Sequence, residues 1–343
     1  MIYSLRFWSK HIASILILAA SFVGLQQRIA LGQTPTKVTI GVEFINVRLA
    51  GLWVAEKEGF FKKQGLDINT VNISGGTQGV QAMVGGQLDM SFSAPAATIP
   101  AVAAGAQILE IMPTTSTMPY ILVGAPTVTS IPALKGQRVG ASGLGLSASR
   151  LALIVALKYF GLDPDKDKIT IVAAGTEPER QAGVSSGAIG ATVVAPEFKD
   201  RVEKMGAHLL ADLRTLKIPW ENDGLVTTRK ALQSKQDVVE RVVKALLEAN
   251  AFVLNPANRA KTIETLNSHL KFKDQQEANS VYNDLIKYYM LKKPYPYREG
   301  IQTVLTEIGK VLPKAVGLKF EDVADSSVME KLDKSGYIDG LYK

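Results

Sequence analysis

The sequence contains no cysteine. That absence removes thiol nucleophiles, CxxC redox pairs, cysteine-ligated zinc and iron–sulfur clusters from the chemistry open to the chain. Histidine is nearly as scarce, with three in 343 residues, and no HExxH, paired HxH or Ser-centred GxSxG occurs. A long apolar run is missing too. The stretch Ile12 to Leu25 (IASILILAASFVGL) has 14 residues, where a membrane-crossing helix takes about 20. A chain of this length buries a full core in one or two domains, so the missing disulfides cost it no necessary support. Its 46% hydrophobic and 21% charged composition is that of a globular protein, neither disordered nor collagenous.

The short apolar run has a recognisable context. Arg6, Lys10 and His11 precede it with no acid among them, Gln26, Gln27 and Arg28 follow, and Ala30-Leu31-Gly32 puts small residues ahead of Gln33. This is the layout of a secretory signal peptide over residues 1–32, cleaved after Gly32. The formal charge of +7 then changes meaning. Removing Arg6, Lys10 and Arg28 leaves 36 basic against 32 acidic residues, a net of +4 scattered through mixed segments such as EKEGFFKKQGLD and DPDKDK. Such a surface does not point to nucleic acid. With no cysteine to carry a lipid anchor, the mature protein is expected free in a periplasm.

Past a polar linker, strand and helix patterns alternate. VTIGVEF reads as a strand. In LAGLWVAEKEGFFKKQGL the residues Leu49, Leu52, Trp53, Ala55, Glu56, Phe60 and Phe61 fall near helical spacing, and Gly65 supplies a stop. Strand LDINTVNI, the loop Ser74-Gly75-Gly76-Thr77, a helix ending near Gly85-Gly86 and strand DMSFSA follow, closed by Pro95. A second cycle comes after MPYILVGAPT: strand KGQRVGAS, helix LSASRLALIVALKYFGL, strand KITIVAA, helix EPERQAGVSSG and strand ATVVAP. The C-terminal third is mainly helical, led by Val238 to Leu254. Alternation of this kind predicts mostly parallel sheets covered on both faces. The segments QAMVGGQLDMSFSAPA and QAGVSSGAIGATVVAPE align with a shift of about 101 residues, matching Gly86 with Gly187 and Ala94-Pro95 with Ala195-Pro196. A duplicated lobe puts both Ala-Pro turns at carboxyl ends of strands, where open α/β sheets bind ligands.

Taken together, GLWVAEKEGFFKKQGLDI, SGGTQGVQAMVGGQLDMSFSAP and LKGQRVGASGLGLSASRLAL resemble the periplasmic substrate-binding proteins of ABC importers. The subgroup is the nitrate, taurine and sulfonate type, which includes the thiamine-pyrimidine-synthase-like proteins, and the resemblance spans residues 37 to 343. It implies an α/β fold of type II, with two lobes around a ligand cleft. Lobe one is expected over residues 37–123 plus 224–343, and lobe two over 124–223 as an insert. It also implies a monomer that takes up a small molecule without a cofactor or metal; the helix ends of this chain favour an anion, while Phe44, Trp53 and Trp220 suit a heteroaromatic ligand equally. Delivery is to a permease with a cytoplasmic ATPase, through transient contact with that membrane protein; a ligand-sensing subunit of a membrane receptor is the alternative outside catalysis. The synthase relatives carry a cofactor-holding lysine and a reactive histidine where this chain has Ser93 and Ala97, and they use a cysteine-rich metal motif. An enzyme is therefore not expected.

Several residues are candidates for holding a ligand. Ser74, Gly75, Gly76 and Thr77 open one helix, and Ser142, Gly143, Leu144, Gly145 and Ser147 lead into another; both offer unpaired backbone N–H groups and a helix dipole to an anion. Capping of their own helices is the competing role for Ser74, Thr77 and Ser147. Phe44, Asn46 and Arg48 follow the first strand and supply an aromatic face, an amide and a guanidinium. Ser93, Ala94, Pro95 and Pro196 end strands. Glu177 is either an acceptor for a ligand or an acid at a helix start, and Trp53 and Trp220 are either aromatic walls or core. His208 and His269 are expected on the surface.

Overall fold

The computed structural model describes residues 34–73, 75–143 and 145–343. The expected signal peptide, Ser74 and Leu144 lie outside the described residues. Residues 37–343 form one compact unit built on two five-stranded sheets.

The strands are β1 (Thr36–Val42), β2 (Leu66–Asn72), β3 (Met90–Ser93), β4 (Ile108–Pro113), β5 (Ile121–Gly124), β6 (Arg138–Ala141), β7 (Thr170–Ala173), β8 (Ala191–Val194), β9 (His208–Asp212) and β10 (Gly224–Thr228). The first sheet runs β2-β1-β3-β10-β4 and the second β7-β6-β8-β5-β9. The two orders are the same once β6 to β9 are set on β1 to β4 and β5 on β10. The internal similarity falls on equivalent places. Gly86 and Gly187 turn the chain ahead of β3 and β8 with φ of 74° and 77°, a backbone region that glycine enters without a Cβ clash. Ala94-Pro95 and Ala195-Pro196 follow the same two strands.

Both sheets are mixed rather than mostly parallel. β1 is parallel to β3, and β6 to β7 and β8, but β10 runs antiparallel to β3 and β4, and β5 to β8 and β9. The cause is the connectivity. The chain leaves β4 at the carboxyl end of the first sheet and enters β5 directly, then leaves β9 and returns as β10. A strand entered from the end where its neighbours finish must run against them.

Helices α1 (Ala50–Lys57), α2 (Gly76–Val84), α3 (Pro95–Ala103), α4 (Ala148–Tyr159), α5 (Glu177–Ser185), α6 (Gln236–Leu254), α7 (Arg259–Leu270), α8 (Gln275–Asp284) and α9 (Arg298–Gly309) flank these sheets. α6 buries Val239, Val242, Val243, Leu246, Leu247 and Val253, the three- and four-residue spacing that turns one apolar face of a helix inward. It packs closely on α1, because Gly51 leaves the place of a Cβ open 2.7 Å from Asn250 Oδ1. α9 follows β10 in sequence yet buries Ile301, Val304, Leu305 and Ile308 in the apolar core that also holds α4 and the second sheet. Glu307 of α9 pairs with Lys158 of α4 at 2.6 Å. Among the described residues, no helix is long and apolar enough to cross a membrane.

Trp53 belongs to the core of the first sheet at 3% exposure. Its outer face is covered by the exposed His269, whose ring stacks on the indole with centroids 4.2 Å apart and 2° between planes. Burial against neighbours, with Lys271 and Lys57 nearby, holds the His269 pKa below its ordinary value. Trp53→Ala is expected to cost about 3–5 kcal/mol, the usual penalty for emptying a large aromatic site in a core. His269→Ala removes one exposed stacking partner and is expected to cost no more than about 1.5 kcal/mol. Urea denaturation of the two variants checks the order, and equal losses contradict it.

Candidate ligand cleft

The carboxyl ends of β1, β2 and β3 in the first sheet and of β6, β7 and β8 in the second lead into one cavity of about 490 Å³. From the first sheet, Glu43, Phe44, Asn46 and Arg48 follow β1. Gly75, Gly76 and Thr77 open α2 after β2, and Ala94, Ala96 and Ala97 open α3 after β3. From the second sheet, Ser142 follows β6, Leu146 to Ser149 start α4, Thr176, Glu177 and Arg180 start α5, and Ala195 follows β8. The two crossovers add Tyr120 and the pair Asn222-Asp223.

An ion pair holds these parts together. Asn46 caps the turn after β1, its Oδ1 accepting from Arg48 N at 3.1 Å, and this sets the Arg48 side chain toward the return crossover. Its Nε donates to Asp223 Oδ1 at 3.0 Å and its Nη2 lies 2.9 Å from the same oxygen, with the residues 6% and 1% exposed. Asp223 also accepts from Asn222 Nδ2 and Thr114 Oγ1, and its carbonyl accepts from Thr114 N at 2.9 Å. Thr114 follows β4, so this one carboxylate ties the loop after β1 to both crossovers. Burial pulls the Arg48 pKa down, but Asp223 more than offsets it and keeps the guanidinium charged above its ordinary value. Phe44 covers the other side, its ring centroid 5.3 Å from Arg48 Cζ.

Acids outnumber the cations around this pair. Glu43 Oε2 accepts from Ser93 Oγ at 2.9 Å. Its carboxyl lies against the first turn of α2, where a Cβ on Gly79 would overlap Oε1 and one on Gly76 would come 3.0 Å from Oε2. Burial pushes Glu43 up to about 7, the Ser93 hydrogen bond opposing it and Asp223 adding to it. Behind the crossovers, Glu110 of β4 and Glu221 are both buried, and each has an Oε1 without a hydrogen-bond partner. Burial and like charge hold both above the ordinary carboxylate range: Asp223 acts on Glu110, and Glu110 and Asp223 on Glu221. Glu221 Oε2 accepts from Tyr297 N at 3.0 Å.

The second lobe's side of the cleft is more nearly balanced. Glu177 Oε1 accepts from Ala195 N at 2.5 Å. Arg180 Nη1 donates to the Gly175 carbonyl at 3.0 Å, while its buried Nε has no partner. Burial lowers the Arg180 pKa, with the Glu177 charge working against that shift. Two of the helix starts are already capped by the chain itself, and a third faces a carboxyl. Ser147 Oγ accepts from Arg150 N at 3.4 Å, Thr176 and Glu179 form a capping box on α5, and Glu43 stands at α2. Ser142 and Ser149 bond to each other at 2.9 Å between Oγ atoms.

Ten of the residues picked out by sequence therefore line one cavity: Phe44, Asn46, Arg48, Gly75, Gly76, Thr77, Ala94, Ser142, Ser147 and Glu177. Others lie elsewhere. Trp53 is core, and Trp220, 1% exposed, donates from Nε1 to Asn222 Oδ1 at 3.1 Å, behind the cleft rather than in its wall. Ser93 is fully buried beneath Glu43, and Pro95 and Pro196 are buried in the first turns of their helices. Gly143 and Gly145 stand in the loop before α4 outside the cavity lining. Sequence reasoning passed over Glu43, Tyr120, Arg180, Asn222 and Asp223. Glu43 was hidden inside the strand pattern VTIGVEF, whose end lies one residue earlier, at Val42. Asp223 meets Arg48 across 175 positions, and no local pattern signals that pairing.

A family model described as NMT1/THI5 like matches residues 46–260. No curated protein matches the sequence. Among solved structures, the ligand-binding component of an ABC-type import system from Staphylococcus aureus, with zinc bound, superposes with a TM-score of 0.67 at 16% identity, covering 86% of this chain and 98% of that one. The alkanesulfonate-binding protein SsuA from Xanthomonas axonopodis pv. citri, bound to MOPS, gives 0.65 at 20% identity over 85% and 99%. The periplasmic nitrate-binding protein NrtA from Synechocystis PCC 6803 gives 0.64 at 11% identity over 88% and 89%. At these identities the likeness is one of fold: two lobes of mixed sheet, as in periplasmic binding proteins.

The buried acids make a prediction about pH. Between the ordinary carboxylate range and about pH 8, the unfolded chain releases protons that the folded chain keeps on Glu110 and Glu221, so stability is expected to fall as pH rises through that interval. Glu110→Gln is expected to flatten the fall, read as urea midpoints at stepped pH. A wild-type profile that does not decline over that interval contradicts a proton-holding pair.

Proposed function

Because the chain belongs to the NMT1/THI5-like family, we propose that it is the periplasmic solute-binding component of an ABC importer. It captures a small molecule between two lobes and delivers it to a membrane permease with its cytoplasmic ATPase. We take lobe one as residues 37–120 with 224–343 and lobe two as the insert 121–223, a boundary three residues earlier than the sequence suggests, because β5 pairs in the second sheet and β10 in the first. The mature protein is a freely diffusing monomer released by cleavage after Gly32.

The observation that carries this reading is the cavity of about 490 Å³ lined by both sheets and crossed by both connections. That volume falls within the range of small-molecule sites. Two short crossovers beneath a cleft permit hinge closure over a bound solute, and a closed lobe pair is a surface that a permease distinguishes from the open one. Catalysis finds little support in the cleft wall. The positions that the synthase relatives give to lysine and histidine hold Ser93, which donates to Glu43, and Ala97.

Thermal denaturation of the mature protein against a library of small metabolites tests the proposal. A ligand at a hundred times its dissociation constant adds about 2.7 kcal/mol to the folded state, and for a true ligand the radius of gyration from solution scattering is expected to shrink on binding. A library without one stabilising compound contradicts solute capture.

A further inference from the structure

The ionisable lining of the cleft does not balance. Arg48 is committed to Asp223, and Arg180 lies within reach of the Glu177 charge. Glu43 is the third acid of the lining, and among the described residues no lysine, arginine or histidine bonds to it. Its place sharpens the imbalance. Gly76 and Gly79 stand three apart on α2, and the absence of side chains at both makes the space the carboxyl fills. The positive end of α2, which the loop Gly75 to Thr77 would turn toward an incoming anion, is therefore already faced by a carboxyl of the chain itself. A carboxylate accepts about four hydrogen bonds, whereas the carboxyl of Glu43 receives one, from Ser93. Further back, Glu110 and Glu221 are held toward their neutral form and bring no positive charge to offset it.

Resting on the solute-capture reading above, we infer that the cleft takes a ligand bearing an ammonium or amidinium group, with Glu43 as its specificity-determining acceptor, and turns small oxyanions away. Like charges in a partly desolvated cleft repel an anion at close range, while an N–H donor meets the unfilled acceptor positions of Glu43 in a charge-assisted hydrogen bond. A cation beside Glu43 also favours its ionised form over the neutral form that burial promotes. Phe44 and Tyr120 supply aromatic surface to the same cavity, which suits a cationic group on a flat or apolar body.

The test uses matched compounds that differ in the charged group: benzamidine against benzoate, and butylamine against butyrate, each titrated into the mature protein and into Glu43→Gln. The amidine or the amine is expected to raise the melting temperature of the wild type, with the oxyanions inert. Glu43→Gln is expected to weaken the cation by roughly tenfold or more, as loss of a hydrogen bond to a charged group does. Circular dichroism of Glu43→Gln establishes that it folds. Glu43→Asp, which keeps the charge, is expected to retain part of the cation's effect, a rescue that a merely structural role would not give. Stabilisation by benzoate or butyrate equal to that by its cation overturns the inference and leaves solute capture standing. Inertness of all four compounds also overturns it, and capture itself falls only if the broad library fails as well.

Discussion

Arg48 and Asp223 are both almost fully buried, and neither can be lost alone. Taking two charges out of water is costly, and their attraction compensates only when geometry is good and the remaining donors and acceptors are filled. Here two guanidinium nitrogens meet the carboxylate, and Thr114 and Asn222 fill further positions on it. The partners come from the loop after the first strand and the residue before the last one. Thr114 brings in the other crossover. The contact therefore joins the loop after β1, the start of β10 between β3 and β4 and both crossovers at the floor of the cleft.

That contact also sets the electrostatics above it. Once Asp223 has neutralised Arg48, the guanidinium that reads in sequence as a hook for an acidic ligand is no longer an uncompensated charge. Of the two helix ends that read as anion cradles, one is capped by Ser147 and the other faces the carboxyl of Glu43. What remains is a surplus of carboxyl groups, several of them driven by burial toward the protonated form. The fold is shared with sulfonate- and nitrate-binding proteins, and a shared fold leaves the ligand to be decided by the side chains at the cleft.

Legibility in the sequence followed the range of the physics. β-branched alternation and helical spacing are local, so the strands of β1, β2, β3, β6, β7 and β8 and the long helix α6 could be read from the chain within a few residues. The duplicated helix–glycine–strand–Ala-Pro unit was readable for the same reason. The antiparallel direction of β5 and β10 was not, because it is decided by where a crossover enters the sheet. The candidate site divided along the same line. Phe44, Asn46 and the two helix-opening loops were found by position at strand ends, whereas Asp223, Arg180 and Tyr120 reach the cleft through tertiary placement alone. Trp53 and Trp220 carry large apolar rings that suit a pocket wall and a core equally in sequence, and the fold assigned both to the interior.

The dependence on Arg48 and Asp223 is tested most directly by a double-mutant cycle of Arg48→Met and Asp223→Asn in denaturant unfolding. Each single variant leaves a buried group without its charged partner and is predicted to lose about 3–5 kcal/mol. The double variant is predicted to lose clearly less than the sum of the two, with a coupling of about 2 kcal/mol or more. Additive losses, or single variants as stable as the wild type, would contradict the account.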